Sequence, residues 1–401
     1  MRRTVKEDNK RRKETVKKET TKARFEKLKE NVKNIKLDKK KIKMIAIVVA
    51  VAVLLIIINN YTALGIVINK NIDSKDATEV QLQTPIKQIL PFGNEVLVYS
   101  KGKIDIYNRY GKNIAEIELE DVVDVDIATA GNYIQVINKD KNMVCIYKNK
   151  YEVSRIKVDG KIRKGNINRD GTSVIEYYSN NKLALGIYDN SGNAKYNIRP
   201  NKNIIGQYVL SDDSKYLAYT DVDVSGISAY ANVNIIDLSN IKEDETSAKV
   251  VHASDNSLAY DIYWDGKDII TRFDEYYAIY NVYSEELDII EINDGQVVNI
   301  GDYDKKYACI ELNNDGKYLL SIRKMMSEKT KTVGLNDIPK YFEYANGIAY
   351  VCYSKKIEVY NSSCVNIKNY SSDIVITEPI IFNDGRSLAM AISNKLIMFT
   401  I

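Results

Sequence analysis

Short strand-like segments return along this chain roughly every 40 residues, and that period constrains the fold more than composition does. The first unit reads "EVLVYS" (95–100), "KIDIYN" (103–108) and "NIAEIEL" (113–119), separated by turn residues. Apolar and polar positions alternate, the pattern of a half-buried strand, and Val, Ile and Tyr suit a pleated surface. The unit recurs as "YIQVIN" (133–138), "NMVCIYK" (142–148) and "YEVSRIKV" (151–158), and again down to "SLAMAIS" (387–393) and "KLIMFTI" (395–401). The first segments start at 95, 133, 173, 216, 268, 307, 348 and 387, at intervals of 38, 40, 43, 52, 39, 41 and 39. A fourth strand precedes each unit, as in "IKQILPF" (86–92) and "IVITEPIIF" (374–382). Four short strands per repeat predict a β-propeller, in which neighbouring sheets cover faces that one sheet alone leaves open.

The last unit lacks an outer strand, while "TEVQLQT" (78–84) is an alternating strand with no unit of its own. Adding it to the last sheet closes the ring and removes an open edge. The expected fold is all-β, a propeller over 78–401 with eight blades, or seven if the irregular stretch 297–335 is not a separate blade.

The pattern upstream is different. Met44–Ile58 is an unbroken apolar run that includes Ile45, Val48, Val51, Leu54 and Leu55. A bilayer core needs roughly 20 helical residues, so the expected span is 42–64, followed by a linker at 65–77. The long preceding region, and an Ala50-Val51-Ala52 that falls inside the run, indicate a retained anchor rather than a cleaved signal. Residues 1–43 hold 19 Lys/Arg and 7 Asp/Glu, a net of +12 in a chain of net +4, which leaves −8 for the rest. Basic residues crowded against one end of a span hold that end in the cytoplasm. The expected layout is a basic helical tail at 1–41 inside the cell membrane and an acidic domain outside. The apolar span makes the lipid bilayer the expected partner, and the mild overall basicity, an average of a basic tail and an acidic domain, does not indicate nucleic acid. In the tail Phe25, Leu28, Val32 and Ile35 share one helical stripe. Such a stripe suits an anionic lipid surface, a dimer seam or a plain solvated helix.

Little chemistry is encoded. The one histidine, His252, is expected as an exposed strand-end residue, and no G-x-S-x-G accompanies it. Cys145, Cys309, Cys352 and Cys364 show no C-x-x-C spacing. Cys352 and Cys364, on the first and third segments of one unit, are expected two strand spacings apart, too far to bridge. "DVDVSG" (221–226) places Asp221, Asp223 and Ser225 before a glycine, like the opening of a calcium loop. The twelfth position is Asn232 rather than Glu, and a long hairpin loop is the competing interpretation. No catalytic residue and no cofactor is expected. Tyrosine supplies 30 of the aromatics against 6 Phe and 1 Trp. Tyr276, Tyr277, Tyr280 and Tyr283 are a candidate interaction surface, since a ring with a polar tip suits protein or glycan contacts; β-propensity and compositional bias are the favoured account of them.

The turns "LSDDSKYLAYT" (210–220), "INRDGTSVIEY" (167–177), "LNNDGKYLLSI" (312–322) and "FNDGRSLAMAI" (382–392) resemble the Asp-Gly turn of TolB-like and WD40-like propellers. The layout as a whole resembles an uncharacterised clostridial family of single-pass, membrane-anchored propeller proteins, a domain of unknown function. That resemblance implies a fold and a location but no activity. Three classes of function are compatible with it. The first is a non-catalytic protein-interaction platform for envelope proteins, and the second a cell-surface receptor for wall glycan or a small ligand. The third is a carbohydrate-active enzyme, which needs paired carboxylates across the channel.

Overall fold

The computed structural model describes residues 68–72 and 77–400, apart from 120–124, 200–203, 225–228, 240–247, 255–256, 293–295, 304, 326–329, 373–374, 377–378 and 383–386. The expected tail and span, with Met44, Ile45, Val48, Val51, Leu54, Leu55 and Ile58, lie outside the described residues. No helix among the described residues is long and apolar enough to cross a membrane.

The described chain forms eight sheets, each built on four antiparallel strands, an eight-bladed β-propeller. Blade 1 shows the plan: inner strand Ile86–Phe92, then Glu95–Ser100, Lys103–Asn108 and outer Asn113–Glu118, paired in chain order. Local chemistry sets the turns. After the third strand, Asn108 Oδ1 accepts from the amides of Tyr110 (3.0 Å) and Lys112 (3.1 Å). Asn361 does the same for Ser363 (2.9 Å) and Val365 (3.1 Å) in blade 7. Asn281 does so in blade 5, and Asp189 takes the same place in blade 3, so a short side chain that mimics a turn carbonyl reverses the chain at an equivalent point in these repeats.

Residues 297–335 hold a full blade. Gln296–Tyr303, Lys306–Leu312, Tyr318–Lys324 and Thr330–Gly334 pair in order, which settles the count at eight. In this blade the phrase at 312–322 joins the second and third strands. In blades 3 and 4 its counterparts join the inner and second strands. The same turn motif therefore lies at the opposite end of the ring, because a short turn led by Asn or Ser, with its last residue at positive φ (Gly171, Ser214, Gly316), reverses any strand pair.

Thr78–Gln81 pairs antiparallel with the last strand, Lys395–Thr400, and completes blade 8. Within the stretch expected as a linker, Ile68–Ile72 forms a strand parallel to the outer strand of blade 7, Asn366–Ser372.

The core is divided into eight seams, one between each pair of neighbouring blades. Leu97 and Tyr99 of blade 1 pack on Ile127 and Ile134 of blade 2. Val96 and Val98, on the other side of the same strand, pack on Ala389 and Met398 of blade 8. Every second strand thus serves two seams. This corrects the expectation of half-buried strands: Tyr133–Asn138 is buried at all six positions. Polar residues of the alternation, such as Gln135, Glu176 and Glu358, are buried too.

Candidate functional site

Second-to-third-strand hairpins and blade-to-blade connections share one end of the ring, because the strands of each blade alternate in direction. At that end the starts of the inner strands of blades 1, 7 and 8 diverge around a groove of about 870 Å³. Ile86, Ile89, Ile376, Pro379, Ile380 and Ile392 make its wall apolar. Lys87 enters from blade 1 and Lys340 from blade 7, both exposed. Neither lysine forms an ion pair among the described residues. Lys87 Nζ lies 5.6 Å from the centre of the Tyr99 ring, and the Lys340 backbone N–H donates a hydrogen bond to the Cys352 carbonyl (2.8 Å).

Tyr341 also lines the groove, and its hydroxyl donates to Glu343 Oε2 at 3.2 Å. Burial raises the Glu343 pKa, and this hydrogen bond offsets part of the effect.

Further apolar groups stand exposed at the same end. Ile338 (61%) and Val375 (51%) precede the inner strands of blades 7 and 8, while Ile204, Leu258 and Tyr260 open those of blades 4 and 5. Blade 4 adds a long hairpin. Tyr216–Asp223 and Tyr230–Asp237 run eight residues each and extend past the start of their inner strand, where Ile205 pairs with Asp221.

The calcium candidates lie in this hairpin. Asp221 and Asp223 are each about 5% exposed. Asp221 accepts from Asn232 Nδ2 (2.7 Å) and Asn234 Nδ2 (3.0 Å), and Asp223 accepts from the Tyr230 hydroxyl (2.9 Å). Their oxygens are turned into the cross-strand ladder, where strand pairing supplies donors. Ser225 lies outside the described residues, and the described residues contain no cluster of three or more potential metal ligands.

The four tyrosines are dispersed rather than gathered on one surface. Tyr277 is fully buried in the seam of blades 5 and 6, and Tyr280 is buried between blades 4 and 5. Tyr276 is half-buried beside Tyr280, and only Tyr283, in a turn, is largely exposed (68%). Strand alternation separates them, since adjacent residues face different seams. His252 is not an exposed strand end. It is half-buried in Lys249–Ala253, edge-on to Phe273, with Nε2 2.9 Å from the Tyr276 hydroxyl. All four cysteines are free and buried.

The structural pattern that sequence reasoning missed is the set of buried charges. Glu176 is fully buried in blade 3, 2.6 Å from Arg163 and 3.8 Å from Lys164. Lys164 also donates to the Gly206 carbonyl of blade 4 at 2.6 Å. Burial raises the Glu176 pKa against the pull of both cations, and it lowers that of Lys164. A single acidic residue inside an apolar strand, as in "SVIEYY", was the available signal.

Residues 61–398 match the model of a family of unknown function, DUF5711. The chain belongs to the DUF5711 family. No curated protein matches this DUF5711 sequence. Among solved structures, the DUF5711 propeller is similar to the C-terminal WD40 domain of Sif2 (TM-score 0.55, 10% identity, covering 80% of this chain and 98% of that one). It is also similar to the WD40 domain of SCAP from fission yeast (0.53, 10%, 82% and 96%) and to a eukaryotic initiation factor (0.52, 10%, 77% and 82%). At such identities the likeness shows a WD40-like fold alone.

Proposed function

We propose that this chain is a non-catalytic, membrane-anchored propeller that docks envelope proteins on the extracytoplasmic side of the cell membrane. The observation that carries the docking role is the 870 Å³ groove, apolar in its wall and cationic at its rim, at the end of the ring that also exposes Ile338 and Val375. Grooves of this size with few polar groups are common binding sites, and exposed apolar patches mark interaction surfaces. The anchor and its orientation rest on the apolar run Met44–Ile58 and the basic residues before it. The glycan-receptor alternative draws less support, because the tyrosines that favoured it are scattered.

In-cell crosslinking of the tagged full-length protein, with identification of what co-purifies, tests the docking role. Recovery of specific envelope proteins through the propeller supports it, and recovery of wall polymer alone overturns it. Protease added to intact cells checks the topology: residues 78–401 are expected to be accessible and 1–41 protected.

A further inference from the structure

If the groove is a docking site, its lining also specifies what docks there. Five isoleucines and Pro379 make up most of the wall, beside Gln88, Ala391 and Ser393; two lysines from different blades flank it, and no Asp or Glu lines it among the described residues. An aliphatic wall gains most from covering by aliphatic side chains. Lysine stems add to such a wall while their ammonium groups stay at the rim. Lys87 and Lys340 thus place two positive charges at the rim, and neither forms an ion pair among the described residues. We infer that the groove takes a short peptide segment of a partner protein, with aliphatic side chains seated on the isoleucines and carboxylates meeting Lys87 and Lys340.

Other occupants fit less of the lining. A phosphate-rich polymer would engage the lysines and leave Ile86, Ile89 and Ile392 uncovered. A neutral glycan stacks on aromatic faces, and Tyr341 is the one aromatic residue in the lining among the described residues. A basic segment would meet like charge at both walls.

The inference rests on the docking role proposed above, and the experiment separates the two. A photo-crosslinking residue is placed at Tyr341, at Ile392 and, as a control at the opposite end of the ring, at Tyr110, in full-length protein expressed in its own membrane. The crosslinked peptides are then sequenced. Groove positions are expected to capture acidic, aliphatic segments. Lys87→Glu with Lys340→Glu should reduce that yield about tenfold, as loss of paired charges does. Lys87→Arg with Lys340→Arg should retain most of it. Both lysines are exposed, so an unchanged melting temperature confirms that the charge-reversed protein is folded. Neutral or basic segments, or a yield indifferent to charge reversal, would overturn this inference and leave the docking role standing. Capture of polymer, or of no protein at any position, would overturn both.

Discussion

Lys395 Nζ lies 3.3 Å from Glu79 Oε2 across 316 positions of sequence, at the point where the ring closes. Around this contact Thr78 opposes Met398, and the Leu82 amide donates to the Asn394 carbonyl at 2.8 Å. Val80 packs into the seam of blades 8 and 1. The last sheet is therefore completed by the first part of the domain, and a propeller closed this way resists opening at its weakest joint.

Val80 is half-buried, so Val80→Asp should destabilise the propeller by about 1–2 kcal/mol, somewhat below the full value of a buried valine. Glu79→Ala removes only an exposed ion pair and should cost under ~1 kcal/mol. Urea titration followed by tryptophan fluorescence at Trp264 measures both. Equal effects would show that the ion pair, not the packing, holds the joint.

Gly111 stands at φ +76°, and a Cβ there would lie 2.4 Å from Thr78 Cγ2 of the closing strand. Gly111→Ala combines left-handed strain of about 1–2 kcal/mol with that clash. Thr78→Ser removes the clashing methyl and should recover part of the loss but not the strain. A double-mutant cycle in urea reads the coupling, and strict additivity would refute the contact.

Glu176 predicts an inverse pH dependence. Its folded pKa is raised, so the folded state holds a proton that the unfolded chain releases. The stabilisation is complete below the ordinary glutamate pKa and fades as pH rises through the raised value. Glu176→Gln should flatten that part of the stability–pH curve. An unchanged curve would assign the slope to another group.

Glu358 behaves in the opposite sense. Burial works to raise its pKa, but bonds from Lys356 (2.5 Å), Tyr353 (2.7 Å) and Tyr360 (2.8 Å) outweigh it and hold the value low. Its stabilisation is present above the ordinary glutamate pKa and is lost as pH falls through the lowered one. Tyr353→Phe should cost about 1.5–3 kcal/mol at neutral pH, the range for a hydrogen bond to a charged group. The difference should shrink in acid, as thermal melts across pH would show.

Burial pushes the thiol of Cys364 up to about 11 and that of Cys352 up to about 12. Native protein should react with a thiol reagent only slowly at pH 8. All four cysteines should label at once in denaturant. Rapid native labelling of any of them would place it on a mobile surface.

The repeat period, the eight blades and the closing role of Thr78–Gln81 were legible in the sequence, because turn chemistry and strand alternation are local signals that recur. The seams were not. Whether both faces of the strand that carries Tyr276 and Tyr277 are covered, and whether Glu176 meets solvent, depends on what the neighbouring blade places opposite, often 40 or more residues away. An alternating strand has the same sequence signature whether one face or both are covered, and ring closure covers both. The groove was equally invisible, since Lys87, Lys340 and Ile392 come from three blades and share no motif. The order of strands is written in short-range pattern, while burial and the binding face are decided only when the sheets pack in a circle.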